Sequence, residues 1–423
     1  MKYNKKTLPS GLRIITVPEQ DAMATTVLVL VETGSKYETK EINGVSHFLE
    51  HMCFKGTDRR PRPVDIATEL DSLGAQFNAF TSQEYTGYYA KVQPMHASRA
   101  LDIVADLYLH PKVESAEIEK EKGVIIEEIN MYEDMPHRKV GEILMELMYG
   151  DQPAAWNIAG DKPIIRKITR DDFLSYRAKH YVASATLVVV AGKFDEVATI
   201  TEIEKHFAEI PGGEKGGKAA VDDSQKGVLT RVKEKQSDQT HIAFGLRSYS
   251  LKHPDAYTLE VLAGVLGGGM SSRLFLKVRE ELGAAYYVRA NQDSYTDHGI
   301  FEISAGVDQA KLSLVMAAIV DEMKKLKTEK VGDAELRKVK DSLSGGLYLG
   351  LEKSDEIASF YGGQEILTRK IDTPEDVLAN LENVTSEDIL RVANDIFVND
   401  KLSVALIGPF KDSSSFVKLL DLS

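Results

Sequence analysis

The sequence predicts an α+β protein made of two homologous repeats, each a mainly antiparallel β-sheet with helices packed on one face. Three observations support this fold class. The two halves of the chain resemble each other, amphipathic helical segments such as 96–110 and 309–327 alternate with period-2 strands such as YTGYYAKV (85–92), and short turns join neighbouring strands. Short turns favour antiparallel pairing because parallel strands need long crossover connections.

The internal repeat is clearest in the segments that begin at residues 168 and 384, ITRDDFLSYRAKHYVASATLVVVAGKFD and VTSEDILRVANDIFVNDKLSVALIGPFKD. A constant offset of 216 aligns Thr169 with Thr385 and Gly192 with Gly408. Each copy predicts a capped helix, a short loop and a buried strand that ends at glycine. Segments 73–92 and 115–129 recur at offsets of 209 and 218, so small insertions separate the copies.

The repeat also sets the expected domain boundaries. A chain of 423 residues suggests about two or more domains. We expect domains at 1–210 and 228–423, joined by PGGEKGGKAAVDDSQKG (211–227). This segment is rich in Gly, Lys and Asp and has no apolar period, which predicts a flexible linker.

The composition argues against several classes of protein. Acidic residues outnumber basic ones, 65 to 52, for a net charge of −13, and this balance argues against a nucleic-acid partner. The longest apolar runs, TTVLVLV and TLVVVAG, fall short of the ~20 residues that a membrane helix needs. The N-terminus has no apolar signal-peptide core, and the one cysteine, Cys53, fits a reducing compartment. We therefore expect a cytoplasmic protein without a membrane partner.

The stretch EINGVSHFLEHMCFKG (41–56) predicts a helix from about Gly44 to Phe54, with Asn43 as its N-cap and Gly56 as its stop. One face of this helix is an apolar stripe, formed by Val45, Phe48, Leu49 and Met52. The opposite face carries His47, Glu50 and His51.

Histidines four residues apart on a helix can bind one small cation together. His47 and His51 therefore predict a zinc site, and Glu50 lies where a base for a zinc-bound water is needed. The alternative is an ordinary polar helix face that binds no metal.

A third protein ligand is expected from SAEIEKEKGVIIEEINMYED (115–134), a long helix that Ser115 can cap. Helical phase places Glu121 and Glu128 on one stripe with Val124 and Ile125, and Glu127 on the opposite side. A carboxylate on an apolar stripe is costly unless it is paired or binds a metal. Glu128 is thus the predicted ligand and Glu121 a supporting partner. The alternative is a Glu-rich helix that simply faces water.

These motifs resemble the inverted-zincin (pitrilysin) family of zinc metallopeptidases, in the branch that contains mitochondrial processing peptidases and single-chain bacterial homologues. The resemblance is carried by HFLEHMCFKGT, LGAQFNAFTSQEYTGYYAKV, EKEKGVIIEEINMYED and the Gly-rich VLGGGMSSRLFLKVREELGAAYYV (265–288). The motif H-x-x-E-H is the hallmark of the family. Counting the usual family spacing from His51 to the third zinc ligand, without allowing an insertion, selects Glu127. Helical phase and the alignment of the flanking residues favour Glu128.

The resemblance implies a zinc-dependent endopeptidase that cleaves unfolded peptides or targeting and processing segments. It assigns one Zn²⁺ per chain to the ligands His47, His51 and Glu128. Glu50 corresponds to the general base and Glu121 to an auxiliary catalytic glutamate. The first domain is then the catalytic one.

The resemblance also implies substrate contacts. Asn78, Ala79 and Phe80 match an edge strand that binds the substrate backbone, and Arg279 and Tyr286 match a pair that approaches the scissile bond. Tyr286 is in addition a catalytic candidate, as a donor to the developing oxyanion. The second half lacks the zinc ligands, and two bowl-like halves are expected to form a clamshell.

The expected partners are unfolded peptides and a second copy of the chain, with a monomer as an alternative. A heterodimer with a related subunit that divides the work is a further alternative, which the occurrence of zinc and substrate residues together in one sequence disfavours. The alternative is a non-catalytic scaffold or assembly subunit of the same fold. Such a subunit is expected to lose zinc ligands, whereas this chain keeps them.

Overall fold

The computed structural model describes residues 2–423, which divide into two compact units. Each unit combines most of one sequence half with one segment of the other. The first unit contains residues up to Asn130, Trp156–Ala219 and Tyr348–Thr373. The second contains Met131–Ala155, Ala220–Leu347 and Pro374–Ser423. The boundaries of the sequence repeats therefore differ from those of the compact units, because each unit includes one segment from the other half of the chain.

The strands are β1 (Asn4–Thr7), β2 (Arg13–Pro18), β3 (Thr25–Val31), β4 (Gln76–Thr81), β5 (Thr86–Val92), β6 (Thr186–Gly192), β7 (Leu229–Glu234), β8 (Thr240–Ser248), β9 (Ala285–Ser294), β10 (Gly299–Val307) and β11 (Leu402–Gly408).

The helices are α1 (Val45–Cys53), α2 (Pro63–Ser72), α3 (Ala97–Leu109), α4 (Ser115–Glu133), α5 (Pro136–Tyr149), α6 (Lys162–Ile165), α7 (Arg170–His180), α8 (Glu196–His206), α9 (Ala256–Gly267), α10 (Leu312–Thr328), α11 (Asp333–Gly350), α12 (Ser354–Thr368), α13 (Pro374–Asn383) and α14 (Ser386–Ile396). A π-helical segment spans Phe275–Glu281. The helices within residues 2–423 are all too short or too polar to serve as membrane spans.

Both sheets are mainly antiparallel, which confirms the predicted fold class. The first has the order β1-β2-β6-β3-β5-β4, and the second β7-β11-β8-β10-β9. In the first sheet β2 and β6 run parallel, and in the second β11 and β7 do. β4 and β9 thus lie at the edges of their sheets.

Each sheet also carries a helix on its other face, beyond the single helical layer that the sequence predicts. In the first unit α12 packs on β2, β3 and β6, where Tyr361 and Ile357 meet Leu28 and Val189. In the second unit α5 packs on β8 and β11. Strands β3 and β6 are buried along their whole length because both faces are covered.

The repeat is visible in the elements themselves. Helices α7 and α14 begin at Arg170 and Ser386 and are followed by β6 and β11, all at the offset of 216 that the sequence shows. Capping boxes start both helices, from Thr169 and Thr385.

The Gly-rich segment, which its composition predicts to be a linker, makes backbone hydrogen bonds with the first unit. In the first unit the N–H of Gly216 donates to the carbonyl of Lys179, and Pro211 accepts from Ala183. A Cβ at Gly216 would lie 2.3 Å from the His180 ring, so the chain runs directly against that side chain. This part of the segment has no helix or strand, yet it is attached to the unit by hydrogen bonds.

Candidate metal centre

Helix α1 supplies two histidines and a glutamate, and its apolar stripe fixes their direction. Val45, Phe48, Leu49 and Met52 are completely buried in the first unit's core. The His47 and His51 rings emerge on the other side, with centroids 4.7 Å apart. Cys53 lies in the core, where burial raises the pKa of its thiol to about 11 and keeps it protonated.

The start of α1 differs from the prediction that Asn43 caps the helix. Gly44 is the N-cap, with φ +97, and the capping acceptor is the distant Glu38. The Glu38 carboxylate accepts hydrogen bonds from the N–H groups of Gly44 and Ser46, at 2.7 and 2.8 Å, and from the Asn43 side chain at 2.9 Å. Burial raises the pKa of Glu38 to about 7, although the Ser46 and Gly44 N–H groups oppose the shift.

Helix α4 brings Glu128 to the two histidines. Its Oε2 lies 3.6 Å from Nε2 of His47 and 3.7 Å from Nε2 of His51. Glu127 is exposed, and Asn130 donates a hydrogen bond to it. Val124 is 50% exposed, contrary to its predicted place on the buried stripe, whereas Ile125 is completely buried. Ser115 is the first helical residue rather than the cap.

The three side chains fit a metal ion of the zinc type. One ligand atom from each of His47, His51 and Glu128 lies within 4.8 Å of the others, and among residues 2–423 this is the one such group. Tetrahedral zinc ligands lie about 2.1 Å from the ion and hence about 3.4 Å apart, close to the His–Glu separations here. Two imidazoles and a carboxylate are the donor set of several catalytic zinc sites, in which the fourth position stays open.

A hydrogen-bonded pair behind His51 fixes the orientation of its ring. Nδ1 of His51 lies 2.9 Å from Oε1 of Glu121, and Lys55 contacts the other Glu121 oxygen at 2.6 Å. Burial raises the pKa of Glu121, but the hydrogen bonds with His51 and Lys55 outweigh it and lower that pKa. An ionised Glu121 thus holds Nδ1 and turns Nε2 toward Glu128. Sequence reasoning missed Lys55.

His47 is buried more deeply and lacks such support. Burial and the nearby His51 lower the pKa of His47 to about 4, against the opposing charge of Glu128. Its ring is therefore neutral near pH 7, the form that binds metals. Its Nδ1 is buried and has no hydrogen-bond partner within residues 2–423.

Glu50 lies beside the histidines and is held by Thr81 at the end of β4. The Thr81 hydroxyl donates to Oε2 of Glu50 at 2.6 Å. Burial raises the pKa of Glu50, while the Thr81 hydrogen bond opposes this effect. Sequence reasoning missed Thr81. The alternation of side chains along the strand could have identified it, because this alternation places Thr81 on the same face as the buried Ala79.

Strand β4 is an edge strand, as the resemblance implies. Asn78 is exposed, Ala79 is 8% exposed, and Phe80 packs with the cluster on the other face of the sheet. The N–H of Ala79 donates to the Asn78 side-chain oxygen at 2.9 Å. A peptide strand that takes this N–H has to displace the Asn78 amide.

Arg279 and Tyr286 belong to the second unit. Arg279 lies in the π-helical segment and donates to the backbone carbonyl of Tyr286 at 2.9 Å, and the Tyr286 side chain is 72% exposed. The structure thus places the two residues together. Their action on a substrate stays a prediction.

Comparison with known proteins defines the class to which this fold and centre belong. Residues 13–162 match the family described as insulinase (peptidase family M16), and residues 167–343 match the M16 inactive domain. The chain belongs to the M16 peptidase family, as the resemblance predicts. The domain without the zinc ligands is also the one that matches the inactive-domain description.

The individual relatives are similarly named. An uncharacterized zinc protease of Bacillus subtilis is 35% identical over 403 residues, which cover 95% of this chain and 97% of the relative. An uncharacterized zinc protease of Mycobacterium leprae is 31% identical and covers 98% of this chain, with 94% of its own length matched.

Solved structures share the fold. A protease from Helicobacter pylori superimposes with a TM-score of 0.89 at 23% identity, over 96% of this chain and 99% of that one. Complex III of Candida albicans contains a chain with a TM-score of 0.86 at 17% identity, over 99% of this chain and 98% of that one. At these identities the likeness concerns the fold alone.

Proposed function

We propose that this chain is a zinc-dependent endopeptidase that hydrolyses peptide bonds in unfolded peptides or in targeting and processing segments. The observation that carries the proposal is the convergence of His47, His51 and Glu128 beside a buried, hydrogen-bonded Glu50. The zinc protease names of the relatives support it. One zinc ion per chain corresponds to the one such cluster among residues 2–423.

The protein's own residues divide the chemistry among themselves. His47, His51 and Glu128 would hold the zinc, which when bound polarises a carbonyl and lowers the pKa of water. Glu50 takes a proton from the attacking water and delivers it to the leaving amine. Because Thr81 binds one oxygen of Glu50, the other oxygen is left for the proton.

The substrate is proposed to bind as an added strand along β4. Backbone hydrogen bonds then supply affinity with little demand on sequence, which suits an unfolded peptide. The Ala79 N–H, now bound by Asn78, is one donor for such a strand. Arg279 and Tyr286 are proposed substrate contacts from the second unit. Since one chain carries all of these residues, we expect a homodimer rather than a complex with a different subunit.

The test is zinc content and peptide cleavage by the wild type and by Glu50→Gln in parallel. Glu50→Gln removes the base but none of the three ligands, so zinc should stay near one per chain. Cleavage of an unfolded peptide mixture, followed by mass spectrometry, should fall by about 10²–10⁴-fold. Cleavage by Glu50→Gln at the wild-type rate would disprove the mechanism.

A second candidate function is a non-catalytic assembly subunit. The observation in its favour is the likeness in fold to a chain of Candida albicans complex III. It predicts that wild-type protein cleaves no peptide, whether or not it binds zinc. The same experiment therefore separates the two functions.

A further inference from the structure

Glu38 holds the beginning of the helix that carries both histidines. It lies between two short 3-10 segments, Ser35–Tyr37 and Lys40–Ile42, and is 5% exposed. Both carboxylate oxygens are used. Oε2 accepts from Gly44 and Asn43, and Oε1 accepts from the N–H of Ser46.

These hydrogen bonds replace an ordinary helix cap. The first N–H groups of a helix have no partner within it, and the N-cap of α1 is a glycine without a side chain. A Cβ at Gly44 would lie 2.8 Å from the Ala159 carbonyl oxygen, so a capping side chain does not fit there. Glu38 therefore supplies the missing acceptor from a separate segment.

The first turn of α1 is also held through buried hydroxyl groups. The Ser46 hydroxyl lies 2.6 Å from the Tyr176 hydroxyl, which lies 2.7 Å from that of Thr33. Hydrogen bonds in such a water-poor environment are strong and directional. Ser46, the residue directly before His47, is thus fixed through both its N–H and its side chain.

These hydrogen bonds at the start of α1 matter for His47 because no hydrogen bond to Nδ1 orients its ring. Glu121 orients the His51 ring through Nδ1, whereas Nδ1 of His47 has no hydrogen-bond partner within residues 2–423. The direction of Nε2 of His47 therefore depends on the position and rotation of the backbone of α1. α1 has only nine residues, so a shift at its first turn moves His47 directly.

We propose that Glu38 is a positioning residue for the metal centre, which does for His47 through the backbone what Glu121 does for His51 through the ring. This inference rests on the proposed zinc function. It predicts that loss of the Glu38 anchor weakens zinc binding although Glu38 is not a ligand.

The test is the zinc dissociation constant of Glu38→Gln, measured by competition with a chromogenic chelator. Glutamine has nearly the same size but one acceptor oxygen, and its NH₂ group would face backbone N–H donors. The constant should rise about 10–100-fold, as for other residues that orient metal ligands. The turnover number for peptides should fall while KM stays within about twofold, because the edge strand is untouched.

Glu365→Gln is the matched control. Glu365 is a completely buried carboxylate of the same unit, paired with Arg13 and Lys5 and not with α1. This variant should lose thermal stability but bind zinc within about threefold of the wild type. If Glu38→Gln does not fold, as judged by circular dichroism, Glu38→Asp keeps the charge on a shorter side chain and should weaken zinc binding by a smaller factor.

The outcomes are distinct. Unchanged zinc affinity in the folded Glu38 variant would overturn the inference while leaving the zinc function intact. Equal weakening in the Glu365 and Glu38 variants would overturn it too, because the effect would then reflect general stability. Wild-type protein that binds no zinc would overturn the proposed function and this inference together.

Discussion

The two units build corresponding helix pairs in different ways. In the first unit, α1 and α4 have the two histidines and Glu128 between them. In the second, the offset of 218 places Val339 and Gly346 at the positions of Glu121 and Glu128. There α9 and α11 pack directly, since a Cβ at Gly264 would lie 2.6 Å from a methyl carbon of Val339.

The comparison shows that the fold does not require the polar residues of α1 and α4. Helix α9 buries an almost continuous apolar surface, and the second unit closes around it with a full core. Partly buried imidazoles and carboxylates cost free energy unless they bind a partner. In the first unit His47, His51 and Glu128 come together at one such place, with ligand atoms within 4.8 Å of one another, whereas Val339 and Gly346 stand at the positions of Glu121 and Glu128 in the second.

The largest expected effect comes from removing the Glu128 ligand. Glu128→Gln keeps the size of the side chain but removes its charge, so only two strong ligands remain. The zinc dissociation constant should rise by a factor on the order of 10³ or more, and metal analysis after gel filtration should find almost no zinc.

Glu127→Gln is the control for this prediction, because Glu127 is the exposed neighbour on the same helix. Its zinc content should equal that of the wild type. If zinc were lost from Glu127→Gln alone, Glu127 would be the ligand. The family spacing from His51 would then have been the better guide than helical phase.

A second difference between the units is His180, which occupies the position of the fully buried Ile396 at the offset of 216. Burial, helped by the charge of Lys179, lowers the pKa of His180 to about 4. Between about pH 6.5 and pH 4, His180 is therefore protonated in the unfolded chain, where the histidine pKa is near 6.5, but stays neutral in the folded chain. The contribution of a neutral His180 to the free energy of unfolding should therefore be fully present above about pH 6.5. It should fall by about 3 kcal/mol as the pH drops to 4.

His180→Leu should remove this part of the pH dependence. The measurement is urea unfolding of both proteins between pH 7 and pH 4, with the difference between them reported, because His47 and the other groups titrate in both. Identical pH profiles would mean that the His180 ring gains a proton in the folded state or gains none in the unfolded one.

A smaller effect is expected when Glu121 is replaced by its counterpart in the second repeat. Glu121→Val removes the acceptor from Nδ1 of His51 and leaves Lys55, which is partly exposed, to reach solvent. Zinc should bind about 10–100-fold more weakly by chelator competition. Glu119→Val, at a strongly exposed position on the same helix, should leave zinc affinity unchanged; an equal loss there would point to damage to α4 instead.

The sequence predicts the parts of this molecule that depend on local periodicity. Helical phase separates Glu128 from Glu127, and the offset of 216 gives both copies of the helix and strand that end each repeat. The Glu38 cap could not be found in this way, because its acceptor comes from a turn outside α1 while Asn43 stands at the usual capping position. The packing of α5 and α12 on the sheets could not be predicted either, because which sheet a helix covers depends on chain crossings that leave no local signal.

The smallest expected effect tests whether the helices shared by the two repeats are equally stable. Asp172 and Asp388 each accept hydrogen bonds from the N–H and hydroxyl of the threonine three residues before, at the starts of α7 and α14. Asp172→Ala and Asp388→Ala should each cost about 1 kcal/mol, because the capping box and a negative charge near the helix N-terminus are lost. Asp388 also accepts a hydrogen bond from Arg391 at 3.2 Å, so its replacement should cost slightly more.

Hydrogen exchange of the first-turn amides of α7 and α14 measures this loss of stability directly, since about 1 kcal/mol corresponds to about fivefold faster exchange. Equal exchange in mutant and wild type at one helix only would show that tertiary packing, and not the cap, holds that helix start in place.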